Sequence, residues 1–213
     1  MSAYKLIYFE SRGVAELARL VFKQAGQKFE DVRVPQDQWP NVKEEQPMKS
    51  LPVLEIDGRK YCQSAAIVRY LGRKFGLMGS DEEEGLVIDE LLEMFSEMMN
   101  KHIVKIYMDQ DDTKKMELLK AFKEDSLPVY MNLIEKRLEE NRKKNGEDGF
   151  YVGSSVTLGD LTIYNYMFAI CTFMGNFGLD PLEGRVAISG LVTKVEQPPN
   201  IAKWIKERPV TDH

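Results

Sequence analysis

The chain is short of the residues from which many enzyme centres are built. Of its 213 residues two are cysteine and two histidine. Cys62 and Cys171 lie far apart and no Cys-x-x-Cys occurs. That rules out a disulfide framework and a redox dithiol, and reduced thiols fit a cytosolic protein. His102 and His213 leave almost no room for a zinc site of the usual spacing or for a histidine-based triad. Long apolar runs are missing too. The most apolar stretch, Leu161–Met174, is interrupted by Asn165 and falls short of the roughly 20 residues that span a bilayer, so a buried helix is expected. No N-terminal stretch combines a basic start, an apolar run and a small-residue cleavage site, so no secretory leader is expected. Positive charge is in deficit, with 29 Lys and Arg against 34 Asp and Glu and a net charge of −5. A nucleic-acid partner would want a basic face. What remains is 43% hydrophobic and 30% charged, the balance of a soluble globular protein with length for one or two domains.

The stretch Lys49–Ser64, KSLPVLEIDGRKYCQS, organises the first part of the chain. Leu51-Pro52 opens an apolar strand (Val53, Leu54, Ile56), Asp57-Gly58 turns it, and Arg59–Gln63 returns it. Asp-Gly between two strand-like runs is a hairpin signal. Ser64, directly before an apolar helical run, reads as an N-cap. A hairpin that ends at a helix N-terminus delivers N–H groups and a hydroxyl to one place, which suits a small anion. Upstream, Tyr4–Phe9 reads as a strand and Arg12-Gly13 breaks it. Val14, Leu17, Ala18, Val21 and Phe22 then recur with the spacing of a helix buried on one face, closed by Gly26. Phe29–Val34 is a second strand, stopped by Pro35. This β-α-β unit predicts parallel strands. Gln38–Glu45 predicts a loop with one helical turn, carrying Trp39 and Lys43, and the helix from Ser64 to about Phe75 should turn Ala66, Ile67, Tyr70 and Leu71 inward. The order matches a thioredoxin-like sheet, with Tyr8 through Arg12 where a Cys-x-x-Cys would sit.

After a linker at Gly76–Ser80, with Ser80-x-x-Glu83 as a capping box, no strand is expected. Leu86 to about Tyr107 and Met116 to about Arg142 are long helical patterns, the second bent near Pro128, and Lys143–Asp148 reads as a charged loop. Thr157-Leu-Gly-Asp160 caps the apolar helix Leu161–Met174, and Pro198-Pro199 precedes a last helix, Asn200–Glu207. Two domains follow: residues 1–78, an α/β thioredoxin-like domain, and residues 80–213, all helical.

Together these residues resemble the cytosolic glutathione transferases, most closely the sigma class and its nematode members. The resemblance spans essentially the whole chain. Its carriers are Tyr-Lys-Leu-x-Tyr-Phe at 4–9, Arg12-Gly13, Trp39, Lys43, Leu51–Glu55, Asp57-Gly58, Gln63-Ser64, Thr157-x-x-Asp160 and Trp204-Ile-Lys-x-Arg-Pro. The resemblance implies a cytoplasmic homodimer that binds glutathione in the first domain and an apolar electrophile against the second, with detoxification as its role and no metal. It implies that Tyr8 is catalytic, its phenol donating a hydrogen bond to the glutathione thiolate. Such a bond contributes roughly 1.5–3 kcal/mol and lowers a thiol pKa by roughly 1–2 units. Lower basicity also makes a poorer nucleophile, so activation alone gives a gain of a few fold and positioning supplies much of the rest.

The same resemblance assigns glutathione contacts to Trp39, Lys43, Lys49, Ser50, Leu51, Pro52, Gln63 and Ser64, with a cis peptide at Leu51-Pro52 and the γ-glutamyl carboxylate at Gln63 and Ser64. Glu97 stands where the family uses an acid from the partner subunit; Asp is usual there. Phe9, Gly13, Val14, Ser96, Met99, Val104, Thr162 and Tyr166 fall at positions that line the co-substrate pocket. Of Met94, Met98 and Met99, at helical spacing, two are expected to be core or dimer contacts. Two positions depart from the pattern. Val14 replaces an Arg that many members carry beside the catalytic Tyr, and Lys49-Ser50 replaces the residues usual before Leu-Pro. Those departures leave open a ligand carrier for haem, bile-acid-like or lipid molecules, or a crystallin-like structural protein, on the same scaffold. Glutathione-dependent prostaglandin isomerisation is a further alternative that would use the same thiolate.

Overall fold

Alternation of side chains about a strand explains the first layer of the protein. The structure, a computed structural model, describes residues 2–146 and 149–211. The chain forms two compact units, Met1–Leu77 with Val195–His213, and Met78–Lys194. The first contains β1 (Tyr4–Phe9), α1 (Glu16–Gln24), β2 (Glu30–Val34), α2 (Trp39–Val42), β3 (Val53–Ile56), β4 (Arg59–Cys62) and α3 (Ser64–Lys74). The sheet order is β2-β1-β3-β4, with β1 and β2 parallel and the other two pairs antiparallel. On one face of β1, Tyr4 and Leu6 are buried, and the Tyr4 ring meets Phe22 of α1 at 5.3 Å and Phe75 at 6.0 Å. On the other, Ile7 packs with Val34 and Val53, flanked by Val42, Leu51 and Cys62. Each large apolar side chain buried this way contributes about 1.5–3 kcal/mol. The β3–β4 turn has positive φ at Asp57 (49°) and Gly58 (84°), the backbone a tight two-residue hairpin requires.

The helices differ from the sequence reading in detail. A short 3-10 turn, Gly13–Ala15, precedes α1, and Val14 lies exposed on it rather than on the buried face. In α3 the buried residues are Ile67, Val68, Leu71 and Gly72, while Ala66 and Tyr70 face outward. Ser64 is the first helical residue and Gln63 occupies the cap position, so the Ser64 hydroxyl is not the N-cap. Ser80 is likewise not the next cap: Asp81 accepts from the Glu84 N–H at 2.8 Å, and Glu84 Oε2 accepts from the Ser80 N–H and hydroxyl.

The regular elements of the second unit's described residues are all helices: α4 (Glu82–Met98), α5 (Val104–Met108), α6 (Asp112–Ala121), α7 (Leu127–Asn145), α8 (Leu158–Gly175) and α9 (Val186–Val195). Widened π-type turns join α4 to α5 at Met99–Ile103 and α6 to α7 at Phe122–Ser126. The second lies just before Pro128, which has no N–H to continue an i→i−4 ladder. Helix α7 runs to Asn145 and stops at Gly146, past the expected start of the charged loop at Lys143; Glu147 and Asp148 of that loop lie outside the described residues. No helix among the described residues is long and apolar enough to cross a membrane.

The final helix, α10 (Pro199–Glu207), belongs to the first unit, where the sequence-based division at residue 80 had placed it with the helical domain. Trp204 Nε1 and Arg208 Nη1 donate to Glu16 Oε1 of α1 at 2.9 and 3.0 Å, and Arg12 Nη2 donates to the Thr211 carbonyl at 3.0 Å.

Helix α8 starts from a buried carboxylate. Asp160 accepts from the N–H groups of Thr157 and Tyr151 at 2.7 Å each and from the Thr157 hydroxyl at 2.7 Å. Burial pushes its carboxyl up to about 6 while those donors pull it down. Asp160→Ala would strand buried donors with no acceptor, so we expect a loss of about 3–5 kcal/mol. At this chain length that is a fall in Tm of roughly 10 °C, checked by calorimetry.

Candidate active site

Strand pairing brings the expected site residues to one end of the sheet. Ile7 pairs with Val53, and Val53 with Cys62, so these three form one row across β1, β3 and β4. Beyond that row lie Tyr8 and Phe9 on β1, Leu51 and Pro52 ahead of β3, and Gln63 and Ser64 after β4. At the same end β2 finishes at Val34 and leads through a short loop to Trp39, the first residue of α2. Phe9 meets the Trp39 ring edge-on at 5.4 Å. The Leu51–Pro52 peptide is cis.

Tyr8 is half-buried. Burial raises its phenol above the ordinary value, while a hydrogen bond from the Val14 N–H and the charge of Arg19 act in the opposite sense. The backbone at Gly13 lies hard against it: a Cβ built there, at φ +40°, would stand 2.5 Å from the Tyr8 hydroxyl oxygen. Only glycine fits both that space and that backbone. Gly13 is therefore part of the Tyr8 cradle.

Gln63 has φ 73°, a conformation that costs a non-glycine residue about 1–3 kcal/mol. Its Nε2 lies 3.5 Å from the Met48 sulfur. Behind it α3 begins, and its first N–H groups point out of the helix end, where the dipole favours an anion. A groove of about 720 Å³ opens beside this end, lined by Gln63, Ala66, Arg69, Tyr70, Arg73 and Lys74. Lys43, Lys49 and Ser50 are exposed, with Lys49 at φ 49° and paired to Glu44 at 2.7 Å.

In the helical unit, Glu97 is exposed and pairs with Lys101 at 3.6 Å. Ser96 and Met99 are half-buried and Val104 is exposed. Tyr166 stacks on Phe95 with centroids 4.6 Å apart. Thr162 is a correction: it is fully buried, and its hydroxyl donates to the Leu158 carbonyl at 2.6 Å, so it lines no open pocket. Among the described residues no cluster of His, Cys, Asp and Glu is arranged to hold a metal.

Sequence reasoning passed over Glu16 and Arg19, both buried on α1 beside the Tyr8 loop. The available signal was two charged residues inside an otherwise apolar stripe, which must find partners if buried. The Gly13 contact yields a test. Gly13→Ala should cut turnover by about 10- to 100-fold through displacement of the phenol, while calorimetry shows glutathione affinity little changed.

Comparison with known proteins points the same way. Residues 6–81 match the glutathione S-transferase N-terminal domain, and residues 97–208 match its C-terminal domain. Glutathione S-transferase 1 of Ascaris suum is 37% identical over 215 residues, covering all of both chains. A Nu-class transferase structure from Haemonchus contortus superposes with a TM-score of 0.84 at 35% identity over the whole of both chains. A structure described as monomeric, from the hookworm Necator americanus, does so with a TM-score of 0.84 at 32% identity, covering 99% of this chain and 100% of that one. With both domain models matched in order and a relative this similar along its full length, the chain belongs to the glutathione S-transferase family.

Proposed function

We propose that this protein is a glutathione transferase of the sigma class, conjugating the glutathione thiolate to apolar electrophiles. The observation that carries the reading is the placement of Tyr8. A half-buried phenol is cradled by Gly13 and Val14 at the sheet end where the Leu51–Pro52 segment and the N-terminus of α3 also converge. In this reading the thiol loses its proton to solvent, and Tyr8 keeps its own proton and donates to the sulfur. The sulfur lone pair then forms the C–S bond as the leaving group departs with its electron pair.

Ser64 and the first N–H groups of α3 take the γ-glutamyl carboxylate, with Gln63 alongside. Leu51 supplies backbone pairing to the tripeptide as an added strand would. Trp39, Lys43 and Lys49 meet the glycine end, where two ammonium groups suit a carboxylate, and Ser50 adds a contact. For the electrophile we retain Phe9, Gly13 and Val14 in the first unit, and Ser96, Met99, Val104 and Tyr166 in the helical unit.

We propose a homodimer, as the resemblance to the sigma class implies. In a two-fold arrangement, Glu97 of one protomer would reach the glutamyl amine bound to its partner. Two free cysteines suit a cytoplasmic location.

Steady-state conjugation of glutathione to a chromogenic aryl halide tests the central assignment. For Tyr8→Phe we expect the titration midpoint of the bound thiol to rise by about 1–2 units. We expect kcat/KM at pH 6 to fall by about three- to tenfold, since the more basic thiolate recovers part of the loss. Equal rates and midpoints for parent and variant would remove Tyr8 from its role. Glu97→Ala should raise the KM for glutathione by about five- to tenfold, the loss of one charge-assisted hydrogen bond, with kcat little changed. Sedimentation of the parent that shows a monomer would overturn the partner assignment.

A further inference from the structure

The loop that enters β3 sets a methionine sulfur against the start of α3. Gln46 anchors that loop and is itself buried. Its Nε2 donates to the Val42 carbonyl at 3.1 Å, and its Oε1 accepts from Lys60 Nζ of β4 at 3.3 Å. Its carbonyl accepts from the Lys49 N–H at 3.0 Å, closing a tight turn around Pro47 and Met48. Lys49, at the end of the turn, is paired to Glu44 at 2.7 Å. Met48 is therefore held from both sides. Its side chain is 57% exposed, and Gln63 Nε2 donates to its sulfur at 3.5 Å.

A thioether is a weak acceptor. The Gln63 amide therefore rests on Met48 loosely, and a carboxylate arriving at the α3 N-terminus outbids the sulfur with a charge-assisted bond. Oxidation of the sulfur reverses that order. A sulfur lone pair attacks one oxygen of a hydroperoxide, the S–O bond forms, and the O–O bond breaks. The peroxide leaves as water or an alcohol after taking up a proton, so the sulfur is oxidised by two electrons and the peroxide reduced by two. The product is methionine sulfoxide, polar where the thioether was apolar. Its oxygen carries partial negative charge and stands between sulfur and amide, where it accepts a strong hydrogen bond.

We propose that Met48 is a redox-modification site for the glutathione pocket: a hydroperoxide converts it to the sulfoxide, whose oxygen retains the Gln63 amide and weakens glutathione binding. The inference rests on the placement of the γ-glutamyl carboxylate at Gln63 and Ser64, and adds a regulation of that site. Met48 joins two properties, a sulfur open to a small oxidant and a direct contact with a residue of the site. Met108 and Met116 are 65% and 45% exposed but belong to the helical unit. Gln63 already holds a backbone conformation at φ 73° that its surroundings must impose. An amide on so fixed a backbone has few other ways to reach a ligand, so its partner at rest matters. Tyr8 and its Gly13 cradle are untouched by the change, which therefore acts on glutathione affinity and leaves kcat as it was.

The test is calorimetric titration of glutathione into the full-length protein before and after hydrogen peroxide, with the peroxide removed before titration. Mass spectrometry of the treated protein should find added oxygen at Met48 to an extent comparable with Met108 and Met116. An unmodified Met48 beside oxidised Met108 and Met116 would overturn the proposal. The Kd for glutathione should rise by about three- to tenfold, the loss of one hydrogen bond to a charged group, and methionine sulfoxide reductases should restore it. Met48→Leu should give the same Kd with and without peroxide. Met48→Gln, which carries an amide oxygen close to the place of the sulfoxide oxygen, should raise the Kd by a similar factor with no peroxide at all. A peroxide response that survives in Met48→Leu belongs to another residue, such as Cys62 beside Gln63, and overturns the proposal. If the untreated parent binds glutathione and oxidation of Met48 leaves its Kd unchanged, the switch falls and the glutathione site stands. If the untreated parent binds no glutathione, both fall.

Discussion

One row of backbone pairing, Ile7 to Val53 to Cys62, is what the first unit depends on. It draws the C-terminal ends of β1 and β4 and the N-terminal end of β3 to the same edge. A slip of one residue in either pairing would turn Leu6 and Tyr4 away from α1 and move Tyr8 to the opposite face. The register is enforced from both sides: Tyr4 and Leu6 bury against the α1 layer, Ile7 and Val53 against the α2 layer. The Asp57-Gly58 turn sets the hairpin length, and Asp57 also accepts the Ala3 N–H at 2.8 Å, tying the turn to the start of β1.

Around that edge the chain departs from local preference repeatedly. Lys49 and Gln63 hold positive φ, Gly13 is pressed against a phenol, and the α1 stripe buries Glu16 and Arg19. Conflicts gathered at one place are the mark of a site whose geometry is over-determined by its surroundings. The surroundings here include α10: Trp204 and Arg208 hold Glu16, which holds Arg19, so the last helix of the chain stabilises the loop that cradles Tyr8.

The helical unit shows how polar groups inside an apolar core are made tolerable. Asp160 is buried, yet three donors converge on it and the start of α8 is fixed as a result. Thr162, one turn on, returns its hydroxyl to the Leu158 carbonyl. Its position in sequence resembles that of a pocket residue, but the internal bond and full burial remove it from any surface a ligand could meet. The π-type turns at Met99–Ile103 and before Pro128 accommodate an extra residue each without ending the long helices.

Much of this was legible in the amino-acid order. Strand alternation at Tyr4–Phe9, the Asp57-Gly58 turn, the Thr157-to-Asp160 cap and the helical periods define the elements, because each rests on contacts within a few residues. The resemblance carried by Tyr8, Trp39, Leu51-Pro52, Gln63 and Ser64 named the residues that the sheet gathers at one end. Other features rest on contacts distant in sequence and so were decided only by the tertiary structure. Val14 faces outward because a 3-10 turn precedes α1. Tyr70 and Ala66 face outward because the stripe of α3 that packs into the unit is Ile67, Val68, Leu71 and Gly72. Glu16 meets Trp204 across 188 positions, and Arg33 becomes the neighbour of Tyr8 through ladder register. No periodicity records such pairings, since a buried charge finds its partner by where the chain returns in space.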